Sequence, residues 1–220
     1  MKVCEIFNGI QGEGLFQGAP ATFIRFSGCN LKCPWCDTKY HTHDTKKMDA
    51  VEILKQVEHN LVVITGGEPF MQDLEELKHL IELFSSDTII QFETNGTIPP
   101  PEWLPETVWC AVSPKLWAGL VSACVSLWAS RTRTFFKFVI DRQFPIDKTL
   151  ALIDEYDFCA SCNPIFFIAE AVTSTEAVEK TKIMSDFLLR YSSTWTNSHF
   201  NDIRIQLRQH IMLYDNKRGV

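Results

Sequence analysis

Short apolar, β-branched or aromatic runs recur at residues 22–26, 61–65, 88–92, 108–112, 135–140 and 165–168. Each has the length and composition of a strand. Between them the period lengthens to that of a helix. Residues 48–58 carry apolar side chains at Val51, Ile53, Leu54 and Val57, and residues 73–84 at Leu74, Leu77, Leu80, Ile81 and Phe84, with acids and lysine opposite. A third helix is expected over 176–191, with Thr173 and Glu176 spaced as a capping box. Strands alternating with helices imply βαβ crossovers and a parallel sheet. Six strands are too few for a closed eight-stranded barrel. The expected fold is therefore α/β: an incomplete, open parallel β/α barrel of about six strands. No repeat, low-complexity tract or Gly/Ser linker divides residues 1–220, so one domain is expected.

Polar or backbone-permissive clusters follow the strands. Phe26 leads to Cys29, Cys33 and Cys36, and Thr65 to Gly66-Gly67-Glu68-Pro69. Phe92 leads to Glu93-Thr94-Asn95-Gly96, and Val112 to Ser113-Pro114-Lys115. Parallel α/β barrels build their sites at these carboxyl ends.

Composition narrows the partners. A net charge of −6, from 21 basic and 27 acidic residues, disfavours nucleic acid or a membrane surface. The charge-free stretch 116–130 is too short to span a bilayer. Lys2, Glu5 and Asn8 leave no signal-peptide apolar region, so a cytoplasmic location is expected. There, eight cysteines are read as thiols rather than as a disulfide scaffold.

Three of those thiols fall within eight residues, as Cys29-x3-Cys33-x2-Cys36. Thiolates are soft ligands that suit an iron–sulfur cluster, zinc or Cu(I). Zinc would need a fourth donor, His41, His43 or a distant cysteine. A cubane held by three cysteines would leave one iron open to a ligand. The spacing alone leaves both readings standing. Gly66-Gly67, after an apolar strand, lets the main chain approach a ligand closely; taken alone it is equally a tight turn closed by Pro69.

Together the cysteine loop and the Gly-Gly loop resemble the radical S-adenosylmethionine superfamily. Within it, three segments are similar to the 7-carboxy-7-deazaguanine synthase family of queuosine and 7-deazapurine biosynthesis: Asn8-Gly9-Ile10-Gln11-Gly12-Glu13-Gly14, Phe23-Ile24-Arg25-Phe26 and Gly28-Cys29-Asn30-Leu31-Lys32-Cys33-Pro34-Trp35-Cys36-Asp37-Thr38. The resemblance implies a lyase that contracts the ring of 6-carboxy-5,6,7,8-tetrahydropterin with loss of ammonia, through a 5′-deoxyadenosyl radical. It implies a [4Fe–4S] cluster on Cys29, Cys33 and Cys36, with Mg²⁺ on Thr38. S-adenosylmethionine is assigned to Trp35, Cys36, Asp37, Gly67, Glu68, Asn95, Ser113, Pro114 and Lys115. The pterin is assigned to Ile10, Gln11, Gly12, Glu13, Arg25, Thr65, His210 and Val220, with Glu13, Arg25 and His210 nearest the chemistry. It further implies a homodimer, a reducing partner such as flavodoxin or ferredoxin, and a C-terminal segment that closes the substrate pocket.

Residue chemistry agrees with several of these roles. The planar fork of Arg25 suits a carboxylate bidentately, and a hydroxyl such as that of Thr38 suits Mg²⁺, which prefers oxygen and keeps several waters. The C-terminal third departs from the family pattern. Arg208-Gln209-His210-Ile211 stands where Gln-x-His-Lys is usual, and Phe167-Ile168-Ala169-Glu170 replaces a Gln-Pro. Cys110, Cys124, Cys159 and Cys162 are expected to pack as small hydrophobes rather than hold a second metal. Two other functions share parts of the pattern. A radical activase of a glycyl-radical enzyme would need no loop like residues 11–13 and no Thr38, and a non-catalytic zinc-binding module would be colourless.

Overall fold

All six apolar runs are strands, and three further strands join them. The computed structural model describes residues 1–34, 36, 38–39, 45–115, 122–141, 145–155, 164–191, 203–215 and 217–219. The strands are β1 (Lys2–Ile10), β2 (Pro20–Phe26), β3 (Lys46–Lys47), β4 (Leu61–Gly66), β5 (Ile89–Thr94), β6 (Trp109–Val112), β7 (Thr134–Ile140), β8 (Ile165–Ala169) and β9 (Ile203–Gln206). The helices are α1 (Ala50–Leu54), α2 (Leu74–Leu83), α3 (Ser122–Ala129), α4 (Ile146–Glu155), α5 (Ser174–Tyr191) and α6 (Gln209–Tyr214). One sheet runs in the order β3-β1-β2-β4-β5-β6-β7-β8-β9. From β2 onward every neighbouring pair is parallel, whereas β1 pairs antiparallel with both β2 and β3. Among the described residues β3 and β9 are free of one another, so the barrel is open as expected.

Among the described residues the sheet has nine strands where about six were expected. β1 carries Cys4, Glu5, Asn8 and Gly9 among its apolar residues, β9 is four residues of alternating isoleucine and polar side chains, and β3 is two lysines. None of the three makes an apolar run. The expected helix at 48–58 is only the five residues of α1, where Asp49 and Glu52 form a complete capping box. The box expected at α5 is shifted: Thr173 Oγ1 accepts from the Glu176 N–H, but the Glu176 carboxylate accepts from Val172.

Alternation along the strands divides the apolar side chains between two cores. One face, with Ile24, Phe26, Val62, Ile64, Phe92, Val112, Phe136, Phe138 and Phe167, packs against Ile53, Leu77, Leu80, Trp128, Leu150 and Ile153 of the helices. The other face is apolar only in part. There Ala21, Leu61 and Val63 pack with Phe16, and Ala111, Phe135 and Phe166 pack with Leu15. The 3-10 turn Gly14–Phe16 thus plugs this inner face from the loop after β1, and Phe16 meets Trp109 edge-on at 5.6 Å. Further toward the strands' carboxyl ends the same face turns polar.

Candidate active site

A cavity of about 790 Å³ opens at that polar end, a size that fits a bound small molecule. Its walls bring together Ile10, Gln11, Gly12, Glu13, Arg25, Cys29, Cys33, Cys36, Thr38, Thr65, Gly67, Asn95, Ser113, Lys115 and His210. These sites, spread over some 200 positions of sequence, share one space because each follows or ends a neighbouring strand. Glu68 and Pro114 are buried but do not line the cavity. Trp35, Asp37 and Val220 lie outside the described residues, as do His41, His43, Cys159 and Cys162.

The cysteine loop leaves β2 and is stitched to the end of β4. The Gly67 and Glu68 amides donate to Phe26 O (3.1 Å) and Gly28 O (2.8 Å). A Cβ on Gly66, whose φ is +137°, would sit 2.1 Å from Phe26 O, and one on Gly67 would sit 1.9 Å from Gly28 O. The two glycines are therefore required by the close approach of this loop to the cysteine loop. The Glu68 carboxylate turns inward, accepting from Phe70 N (3.2 Å), Thr94 Oγ1 (2.9 Å) and Asn95 N (2.9 Å). It is a brace between the loops after β4 and β5; burial pushes its pKa up, against those three donors.

All three cysteines are free thiols at the cavity wall. Burial pushes the Cys29 and Cys33 thiols up, and neighbouring thiols of the trio push the same way. Leu31 N donates to Cys29 Sγ at 3.4 Å and Asn95 Nδ2 approaches it at 3.9 Å. Among the described residues no three His, Cys, Asp or Glu side chains converge on one point as a single ion requires. An iron–sulfur cluster asks for something different: one thiolate per iron, spread across a face, with donors to sulfur. Three half-buried thiols on one loop, two hydrogen-bond donors to sulfur and a cavity beside them fit such a group. Across the opening, Lys115 Nζ donates to Ser113 Oγ at 2.6 Å, an arrangement suited to a carboxylate.

The same cavity holds a buried ionic network, of whose members the expected site included Glu13 but not Lys137, Glu93 or Arg208. Lys137, projecting from β7, places Nζ 2.7 Å from Glu13 Oε2 and 2.5 Å from Glu93 Oε2. Arg208 Nε adds a second cation at 2.6 Å from Glu13 Oε1. Gln11 and Gln91 both donate to Glu93 Oε1, at 3.2 and 2.7 Å. Burial alone would raise Glu13, but Lys137, Arg208 and His210 outweigh it and hold the carboxyl well below the usual range. Glu93 goes the other way, pushed up by burial against the pull of Lys137. Lys137, despite burial, is held above the ordinary lysine range by its two carboxylates.

The C-terminal segment clamps the loop at residues 11–13 through hydrogen bonds to Gly12 and Gly14. Gln206 receives Gly14 N at 2.7 Å and donates to Gly14 O at 3.0 Å. Gln17 Nε2 bridges Gly12 O and Leu207 O, and Gln209 N donates to Gly12 O. A Cβ on Gly12 would fall 2.1 Å from His210 Nδ1, so this glycine admits the histidine. Arg25 is anchored similarly. Its Nε donates to Glu5 Oε1 at 2.8 Å, its Nη1 reaches Thr38 Oγ1 at 3.4 Å, and its guanidinium lies 5.6 Å above the Phe7 ring. Glu5 also takes Arg218 Nε at 2.9 Å.

Of the other cysteines, Cys110 packs in the helix-side core with its thiol pushed up to about 12 by burial, and Cys124 donates to Thr97 O at 3.6 Å.

Residues 23–107 match the radical SAM superfamily. A 7-carboxy-7-deazaguanine synthase from Pyrobaculum aerophilum is 32% identical over 232 aligned positions, covering 100% of this chain and 97% of that protein. The chain belongs to the 7-carboxy-7-deazaguanine synthase family. A relative of the same name from Aquifex aeolicus is 37% identical over 64% of this chain and 65% of its own length, and one from Rickettsia prowazekii is 42% identical over 53% and 52%. The fold is shared with the crystal structure of QueE from Escherichia coli, at a TM-score of 0.65 and 24% identity, covering 94% of this chain and 93% of that one. Membership makes the protein a radical SAM lyase that uses a [4Fe–4S] cluster and S-adenosylmethionine. No helix among the described residues is long and apolar enough to cross a membrane.

Proposed function

We propose that the protein converts 6-carboxy-5,6,7,8-tetrahydropterin to 7-carboxy-7-deazaguanine and ammonia, a rearrangement with no net oxidation. The observation that carries this reading is the single cavity with three thiols on one wall and Arg25, Gln11, Glu13 and Glu93 on the others. Cys29, Cys33 and Cys36 would hold a cluster that, with S-adenosylmethionine beside it, would supply a 5′-deoxyadenosyl radical. Gly67, Asn95, Ser113 and Lys115 receive S-adenosylmethionine, with Glu68 bracing their loops from behind.

The remaining residues bind and orient the pterin. Arg25, preset by Glu5, takes the substrate carboxylate. Gln11, Glu13 and His210, with Thr65 and the main chain of Ile10 and Gly12, match the donors and acceptors of its amino-oxo edge. Glu13 stays ionised because Lys137 and Arg208 hold it so, which keeps it an acceptor for ring N–H groups. Thr38 is the protein ligand for Mg²⁺. With Arg25 Nη1 3.4 Å from the Thr38 hydroxyl, a dication held there would need an anion beside it, a charge the substrate carboxylate would supply. The C-terminal segment closes the pocket of what we read as one domain, a homodimer reduced by a flavodoxin- or ferredoxin-like partner.

Two substitutions test the assignment. Thr38→Ala should lose most of the Mg²⁺ stimulation of turnover together with activity; an unchanged metal response refutes the ligand role. Arg25→Met should weaken pterin binding by calorimetry about tenfold or more, the scale of a lost charge-assisted hydrogen bond. It should leave the affinity for a pterin lacking the carboxyl unchanged, and equal losses for the two ligands would contradict the pairing.

A further inference from the structure

A closed ring of hydrogen bonds lies against one thiol of the trio. Asn95, directly after β5, is fixed through its main chain, whose N–H donates to Glu68 Oε2 at 2.9 Å. Its side-chain Oδ1 accepts from Thr97 N at 2.9 Å and from Thr97 Oγ1 at 2.6 Å. A main-chain N–H can only donate, so the carbonyl end of the amide must face Thr97 and the NH₂ end must face away. On that side it meets Asn30 Oδ1 at 2.9 Å and Cys29 Sγ at 3.9 Å. Asn30 is oriented in turn. Its Oδ1 receives Asn95, so its NH₂ faces Thr97 Oγ1, at 2.7 Å. Every member of the ring has one polarity, and the two protons of the Asn95 amide are directed at Asn30 and at the Cys29 sulfur.

We propose that Asn95 sets the reduction potential of the cluster by donating a side-chain hydrogen bond to the Cys29 sulfur, with Thr97 and Asn30 as the latch that fixes the amide. The inference rests on the iron–sulfur reading of the cysteine trio. Hydrogen bonds to cluster sulfurs draw electron density from the thiolate and favour the reduced form. Leu31 N, 3.4 Å from the same sulfur, is a main-chain donor that substitution leaves in place. Among the described residues Asn95 is the side chain that donates to this sulfur, whereas Asn30 Oδ1, 4.0 Å away, can only accept; Asn95 also lines the cavity.

Asn95→Asp keeps the oxygen that accepts from Thr97 and removes the donating NH₂ group. Because it also adds a negative charge, which lowers the potential by itself, the deuteron coupling and the neutral variant Thr97→Val separate the lost hydrogen bond from the added charge. The wild type and the variant are reconstituted anaerobically, their iron is counted, and the midpoint potential is read by EPR-monitored potentiometry. Exchangeable deuterons coupled to the reduced cluster are read by ENDOR after transfer to D₂O. The expected result is equal iron content, a more negative potential and loss of one exchangeable coupling. Thr97→Val, which releases the latch but retains Asn95, should shift the potential the same way by less; it carries the test if the aspartate variant loads poorly. An unmoved potential with the deuteron coupling intact, at full iron loading, overturns the proposal while leaving the cluster reading in place. A wild-type protein that assembles no cluster overturns both.

Discussion

At the scale of residues, Lys137 holds two buried carboxylates together. Lys137→Met would leave Glu13 and Glu93 facing each other in a site all three help to bury. Removing one partner of a buried ionic set costs about 3–5 kcal/mol, so the urea midpoint should fall accordingly and pterin turnover should be lost. A midpoint within experimental error of wild type would show the network to be dispensable. The same network sets a pH dependence. The pKa of Glu13 is lowered on folding, so its contribution is present above the ordinary glutamate range, about pH 4.3, and is lost as the pH falls through the depressed value. Glu93 is raised and contributes oppositely, losing stability as the pH climbs from the ordinary value through the raised one. Glu13→Gln should therefore show a flatter acid limb in urea stability measured from pH 5 downward. An unchanged limb would place the titrating group elsewhere. Arg25, Glu13 and the thiols were legible in the sequence because they stand in compact motifs. Lys137 was not, because its one signal is a charge in the middle of Phe135-Phe136-Lys137-Phe138 at an inward register, and its meaning depends on partners 124 and 44 positions away. Glu5 and Arg208 were hidden for the same reason.

At the scale of elements, the loop after β4 is constrained by the loop after β2 rather than by ligand approach alone. Gly67→Ala would drive a Cβ into the Gly28 carbonyl, a main-chain atom 1.9 Å away with little room to yield. Such overpacking costs about 1–3 kcal/mol, and the displaced Cys29 should lower the iron bound per chain on reconstitution. Full iron content would show that the loop tolerates the shift. The Gln206 clamp is the second element-level device. Gln206→Ala frees both hydrogen bonds to Gly14 and should raise KM for the pterin while leaving iron content unchanged; a KM equal to wild type would assign the loop's placement to the Leu15 and Phe16 plug instead. The buried parallel strands were readable as apolar runs. β1, β3 and β9 were not, since an edge or partly polar strand carries only alternation, and over four residues alternation is indistinguishable from loop. α1 came out shorter than its periodicity because only Ile53 and Ala50 of the helix are buried.

At the scale of the molecule, an unclosed, mostly parallel sheet places an apolar plug at one end and a polar cavity at the other, so residues from Phe7 to Gly219 line one space. The open-barrel architecture followed from strand–helix alternation, and the site followed from what succeeds each strand. Of the C-terminal contribution, His210 and a segment over the pocket were implied by the family resemblance, whereas the roles of Gln206 and Arg208 were not, because they act on a loop near the N-terminus that no local pattern links to them. The most direct test of the account is anaerobic turnover of 6-carboxy-5,6,7,8-tetrahydropterin by the reconstituted protein with S-adenosylmethionine, Mg²⁺ and a low-potential reductant, followed by mass spectrometry. The prediction is 7-carboxy-7-deazaguanine and ammonia in equal amounts, with S-adenosylmethionine recovered. Absence of that product, or one 5′-deoxyadenosine released for every pterin consumed, would contradict it.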